Sequence, residues 1–179
     1  MKKVIFALML PLIVLSGLVF ANREIKNETP KKHSQKPLSA ADRKAEMKKW
    51  EASPDGIKFK QWEESPRGKK VYAAEDKIWK QITDYTYMEG VVTSRSLPPN
   101  SKLGFGVMVR MNGDDYIVTF DAENSQLKQL YSLKVNDKIM IKSHYLSHAP
   151  KYSYPLVSCG YLQRDGKVIF KRIARKGGC

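Results

Sequence analysis

The chain has 179 residues, 42% of them hydrophobic, and a formal net charge of +14 from 32 Lys and Arg against 18 Asp and Glu. That length excludes two large domains, and the apolar fraction suffices for a packed core over part of the chain. The charge surplus lies mainly in residues 22–70 and 161–179; it predicts attraction to an anionic polymer, a lipid surface or nucleic acid and says nothing about the fold.

Met1-Lys2-Lys3 is a short basic start, and Val4 to Phe20 carries no charge. Val19-Phe20-Ala21 then supplies the small residues of a cleavage site, so residues 1–21 read as a signal peptide of bacterial type. An uncleaved inner-membrane anchor over residues 4–20 is the alternative, because the run lies at the short edge of what spans a bilayer. Pro11 and Gly17 favour cleavage. Either way the chain is expected outside the cytoplasm, periplasmic or secreted. Cys159 and Cys179 are the two cysteines. An oxidising compartment admits one disulfide between them; a buried Cys159 with a free Cys179 thiol is the other outcome.

Residues 22–39 are polar, contain Pro30 and Pro37, and read as a flexible linker that holds His33. Residues 40–85 read as a helical arm. It carries one internal repeat: Trp50-Glu51-Ala52-Ser53-Pro54-Asp55-Gly56 recurs as Trp62-Glu63-Glu64-Ser65-Pro66-Arg67-Gly68. Serine followed by proline starts a helix, since the hydroxyl caps an orphan amide and proline at the first position loses no bond. The pattern predicts helix, break, short helix, break, helix. Val71, Ala74, Ile78, Ile82 and Tyr85 then form an apolar stripe that must pack on the following domain. Trp50 and Trp62 are candidate partner-binding anchors, with inter-helix packing as their other use.

From residue 86 the texture becomes β-rich. Met88 to Leu97 reads as a first strand, Phe105 to Met111 as a second, and Tyr116 to Phe120 as a third, with Asn112-Gly113-Asp114-Asp115 as the hairpin turn between the last two. Leu127, Leu130 and Tyr131 have helical spacing. Lys138 to Ser143 is a fourth strand and Leu156 to Gln163 a fifth, turning at Arg164-Asp165-Gly166-Lys167 into a last run to Arg172. A basic tail, 174–179, follows.

Three strands, a short helix and two further strands is the order of the OB-fold superfamily, a small Greek-key barrel. Leu133-Lys134-Val135-Asn136-Asp137-Lys138-Ile139-Met140-Ile141-Lys142 resembles the turn into that barrel's fourth strand, with Asn136 where glycine is usual; Asn also accepts positive φ. Glu89-Gly90-Val91-Val92 resembles its first strand. The resemblance covers about residues 86–173 and predicts a mainly β fold with N-terminal α: a five- to six-stranded OB-like Greek-key barrel preceded by short helices.

OB-folds usually bind on strands two and three and in the loops joining strands one to two and four to five. The resemblance places those loops at Ser96–Leu103 and Ser143–Pro155. The second contains His144, Tyr145, His148, Lys151, Tyr152 and Tyr154, and Arg110 stands on the second strand. Aromatic faces interleaved with cations suit bases and sugars. The ligand-binding residues expected are therefore Arg110, Tyr145, His148, Lys151, Tyr152 and Tyr154.

Catalytic chemistry is not assembled. His144 and His148 lack further zinc ligands at useful spacing. Gly104-Phe105-Gly106 lacks the third glycine of a phosphate cradle. Turn chemistry accounts for Asp114 and Asp115, and Asp121 alone makes no calcium site. The expectation is a binding module, without cofactor or metal, for an anionic polymer or glycan. The alternative is a protein-interaction component of a cell-envelope assembly.

Overall fold

A computed structural model describes residues 39–173. The predicted signal or anchor, the linker over 22–38, the tail 174–179 and therefore Cys179 lie outside the described residues. Contacts divide the chain into two units, Met1–Asp42 and Arg43–Cys179. Of the first, only the start of helix α1 (Ala40–Glu51) is described, where the Ser39 hydroxyl donates to Asp42 at 2.6 Å and accepts from the Asp42 amide at 3.2 Å.

In the second unit the tryptophan repeat forms two matching elbows. They join α1 to α2 (Pro54–Glu64) and α2 to α3 (Pro66–Thr83). At the first, Ser53 Oγ donates to the Trp50 carbonyl at 2.6 Å and accepts from the Gly56 amide at 3.2 Å. At the second, Ser65 Oγ donates to the Trp62 carbonyl at 2.5 Å and accepts from the Gly68 amide at 3.1 Å. One hydroxyl thus satisfies the end of one helix and the start of the next, and proline at the first position loses no bond.

Helix α3 buries Val71, Ala74, Ile78 and Ile82, the stripe its spacing predicts. Ala74, Ile78 and Ile82 join the same apolar cluster as Val109, Tyr116, Val118, Ile141, Val157 and Phe170 from the sheet. Each large aliphatic side chain so buried contributes about 1.5–3 kcal/mol. The Tyr116 hydroxyl is buried with it and donates to the Ala74 carbonyl at 2.6 Å.

The sheet is mixed and eight-stranded, in the order β5-β6-β3-β2-β1-β4-β7-β8. Its strands are β1 (Met88–Ser94), β2 (Gly106–Met111), β3 (Asp114–Phe120), β4 (Lys138–Lys142), β5 (Tyr145–Ser147), β6 (Leu156–Cys159), β7 (Tyr161–Arg164) and β8 (Lys167–Lys171), with helix α4 (Asn124–Leu130) between β3 and β4. β1, β2 and β3 form an antiparallel meander, turned at Asn112 (φ 48°) and Gly113 (φ 87°). β4 returns antiparallel to β1, and β6 lies parallel to β3. The turn into β4 holds Asn136 at φ 72°, as the sequence predicts.

Five or six strands were expected, and two local features raise the number to eight. Tyr145–Ser147, inside the predicted Ser143–Pro155 loop, pairs antiparallel with β6. The predicted fifth strand is interrupted at Gly160, so that β6 pairs with β3 while β7 pairs antiparallel with β4. At the interruption the Gly160 amide donates to the Lys142 carbonyl and its carbonyl accepts from the Arg172 amide, both at 2.9 Å. Among the described residues no helix is long and apolar enough to cross a membrane.

Candidate functional site

The Ser143–Pro155 segment was expected to offer its aromatic and basic side chains to a ligand. The structure leaves His144, Tyr145 and Lys151 exposed, half-buries His148 and Tyr154, and buries Tyr152. His148 is enclosed by the helical arm: its ring stacks with Trp62 at 5.5 Å and Phe59 at 6.0 Å, and meets Tyr72 edge-on at 4.7 Å. Its Nδ1 lies 3.0 Å from Glu75 Oε1 and its Nε2 3.1 Å from the Tyr72 hydroxyl. That hydroxyl donates its only proton to Glu63, so Nε2–H donates to Tyr72. Burial raises the Glu75 carboxyl, partly offset by His148, and raises the Tyr72 phenol, reinforced by Glu63.

Lys151 and Tyr152 contact the other candidate loop. Lys151 Nζ donates to the Asn100 carbonyl at 2.5 Å, and its own carbonyl accepts from Arg67 at 2.8 Å. Tyr152 is only 5% exposed, hydrogen-bonds Ser101 at 3.0 Å and packs with Met108 and Ile117, so its ring has no open face for stacking. Tyr154 packs against the same small cluster. Tyr145 is 62% exposed on the short strand β5. Arg110 stands on β2 and makes a two-pronged bond to Asp115, both prongs at 3.1 Å. The six expected residues therefore do not converge on one site; four of them fasten the arm and the two loops together.

The tryptophans separate likewise. Trp62 packs on Phe59, Tyr72 and His148, and its buried Nε1 has no hydrogen-bond acceptor among the described residues. Trp50 touches Phe59 edge-on at 5.6 Å and is exposed. Trp79 on α3, which sequence reasoning passed over, is more exposed still, at 60%.

The acidic residues considered for calcium are divided among cations: Asp114 with Lys77, Asp115 with Arg110, Asp121 with Arg172. Among the described residues no three metal-ligating side chains cluster. Cys159 is buried, its thiol donates to the Tyr161 carbonyl at 3.2 Å, and burial pushes it up to about 12.

Among the described residues a small cleft of ≈ 160 Å³ brings Arg110 and Tyr154 together beside Lys70 and Asp115, and two larger clefts are open. One, of ≈ 620 Å³, lies between the β1–β2 loop and the end of α4, lined by Arg95, Pro98, Pro99, Phe105 and the exposed Tyr131. Phe105 and Tyr131 meet edge-on at 5.1 Å, and Arg95 donates to the Tyr131 carbonyl at 3.0 Å. The predicted loop Ser96–Leu103 thus does border a cleft, but its second wall is α4. The other, of ≈ 430 Å³, runs over the outer face of β1 between Arg110, Lys138 and Gln163, with Glu89 and Asp165 at its margin.

No family model, curated protein or solved structure matches the chain. Its chemistry is therefore read from these contacts alone. Of the groups held above their ordinary acid–base values, Tyr72, Glu75 and Tyr116 lie in the junction of arm and sheet, and Arg110, Cys159 and Tyr161 lie on β2, β6 and β7. The cleft beside Tyr131 presents rings, prolines and a guanidinium group, and the one over β1 presents Arg110 and Lys138 with Glu89 and Asp165.

Proposed function

We propose that the chain is an exported, non-enzymatic binding module that holds an anionic polymer or glycan in the cleft between the β1–β2 loop and α4. The observation that carries this reading is the cleft's lining: the Phe105 and Tyr131 rings offer apolar faces beside the Arg95 guanidinium. Export rests on the basic start and uncharged run of residues 1–21, with a periplasmic or secreted product.

The scaffold reading is an OB-like barrel. It is supported by the β1–β2–β3 meander, the antiparallel β1–β4 pair, the parallel β3–β6 pair, and the single residue, Gly160, that separates β6 from β7. If β6 and β7 count as one bent strand, its halves join the β3 side of the order to the β4 side.

The test is a binding series on the full chain with an acidic glycan, single-stranded DNA and acidic vesicles, across salt concentration. Arg95→Ala and Tyr131→Ala should each weaken the preferred ligand, and the salt slope should fall for Arg95→Ala. Equal affinity for all three ligands, unchanged by either substitution, would leave only non-specific charge.

A protein-interaction role in an envelope assembly is the second reading, favoured by exposed Trp50 and Trp79 on the helical arm. Tryptophan anchors dominate protein interfaces, so Trp50→Ala or Trp79→Ala should then abolish partner capture with little dependence on salt.

A further inference from the structure

Five residues other than glycine have positive φ among the described residues: Asn100, Asn112, Asn136, Asp165 and Tyr85. Four are Asn or Asp, which enter the left-handed region readily. Tyr85, at φ 50°, is a bulky residue for which that conformation is costly. Its position explains the backbone. The Tyr85 amide donates to the Ile82 carbonyl at 3.4 Å and the Thr86 amide to the Gln81 carbonyl at 3.0 Å, the paired bonds that close a helix with a left-handed residue just past the cap. Glycine is the usual occupant there. Helix termination accounts for the backbone, and the side chain reaches over Gly160, where a β-carbon would stand 3.1 Å from the Tyr85 hydroxyl.

The Tyr85 ring lies flat on His144, centroids 3.9 Å apart and planes 10° from parallel. Lys142 Nζ stands 5.4 Å from the Tyr85 centroid and 4.0 Å from that of Tyr87, which meets Tyr161 edge-on at 5.9 Å. The result is a row, His144–Tyr85–Lys142–Tyr87–Tyr161, with His144 and Tyr87 exposed. Among the described residues no carboxylate pairs with Lys142. A cation over tyrosine faces, flanked by open rings, is a receptor for a ligand that combines a flat apolar face with a negative charge close to it.

We propose that this row binds a sugar bearing a carboxylate on its own ring, as in the uronic acid units of an acidic polysaccharide. The choice follows from where the charge sits. Lys142 Nζ is 4.0 Å from the Tyr87 centroid and 5.4 Å from that of Tyr85, so a carboxylate attached to a ring stacked at Tyr87 reaches it. In a nucleotide the phosphate is separated from the stacked base by the whole sugar, and its charge falls beyond Lys142. A pyranose would lay its C–H face on Tyr87 and turn its carboxylate to the ammonium. This site is distinct from the Phe105–Tyr131 cleft and does not depend on it.

The experiment titrates the full chain with oligogalacturonate, the same oligomer methyl-esterified, and oligothymidylate. Each ligand is tested against wild type, Tyr85→Gly, Lys142→Gln and Tyr131→Ala. Oligogalacturonate should bind, and esterification or Lys142→Gln should each weaken it by about tenfold or more, the size of a lost charge-assisted bond. Tyr85→Gly relieves the left-handed strain, so its melting temperature should hold or rise while affinity falls; a merely structural tyrosine would lower the melting temperature and leave affinity alone. Tyr131→Ala reports on the separate Phe105–Tyr131 cleft; oligogalacturonate binding lost through that variant and kept in Lys142→Gln would overturn the proposal. Absent binding, binding indifferent to esterification, binding unaffected by both Tyr85→Gly and Lys142→Gln, or tighter binding of oligothymidylate would each overturn the proposal.

Discussion

Gly68 lies directly against the Trp62 carbonyl: a β-carbon on Gly68 would stand 2.1 Å from that oxygen. Gly56 has the same relation to the Trp50 carbonyl, at 2.2 Å. The glycine of the repeat is therefore the residue that lets one helix end against the first turn of the next.

Gly68→Ala should destabilise the fold by about 1–3 kcal/mol, the cost of forcing a methyl group into packed backbone. Ser65→Ala should cost about 1 kcal/mol through loss of the cap. Denaturant unfolding of each variant measures both.

The repeat also shows how far the sequence reaches. Ser53-Pro54 and Ser65-Pro66 are local signals, and helices α2 and α3 start where those pairs put them. The fate of the two tryptophans is not local: Trp62 faces His148 across a long stretch of chain, whereas Trp50 stays exposed. Likewise the composition of Ser143–Pro155 is the same whether its rings meet a ligand or the arm. Only the position of α3 decides, by placing Tyr72 and Glu75 on His148 and Arg67 on the Lys151 carbonyl. Tyr85 was legible as part of the apolar stripe, but its left-handed backbone was not, because no glycine or asparagine marks it.

The arm junction should respond to pH through Glu75, whose side chain is 12% exposed beside His148. Burial holds its carboxyl above the ordinary value in the folded state. Its contribution to stability is then fully present below the ordinary carboxyl range and is lost as pH rises through the raised folded value. Glu75→Gln should flatten the dependence of unfolding free energy on pH above the ordinary carboxyl range. An unchanged profile would remove Glu75 as its source.

Asp137 should act with the opposite sign. Desolvation alone would lift its carboxyl, but the Lys134 amide at 2.9 Å and Arg164 at 2.7 Å outweigh it and hold the carboxyl below the usual value. The stability it supplies is present above that usual value and is lost as pH falls through the lowered folded one. Asp137→Asn should therefore weaken the fold at neutral pH and blunt its acid sensitivity. Asn136→Gly, at a position already left-handed, should leave stability unchanged or improve it; thermal melts at neutral and acid pH test both variants.

Tyr116→Phe removes the buried hydroxyl that joins β3 to the Ala74 carbonyl of α3. It should cost about 1 kcal/mol. The loss should appear in hydrogen exchange as faster opening of α3 than of the β2–β3 hairpin.

The interruption at Gly160 sets the order in which the molecule can be finished. Phe120 is paired with Cys159 on one side of that glycine, and Lys142 with Tyr161 on the other. Until residues 156–164 arrive, β3 and β4 each keep an unpaired edge, however well the earlier strands have formed. Both edges are closed by one late, long-range step. Such steps make folding slow and leave the growing chain open to edge-to-edge association. A chain emerging from its N-terminus carries both exposed edges from the completion of β4 at Lys142 until residues 156–164 follow, so its passage to the folded state waits on its last strands.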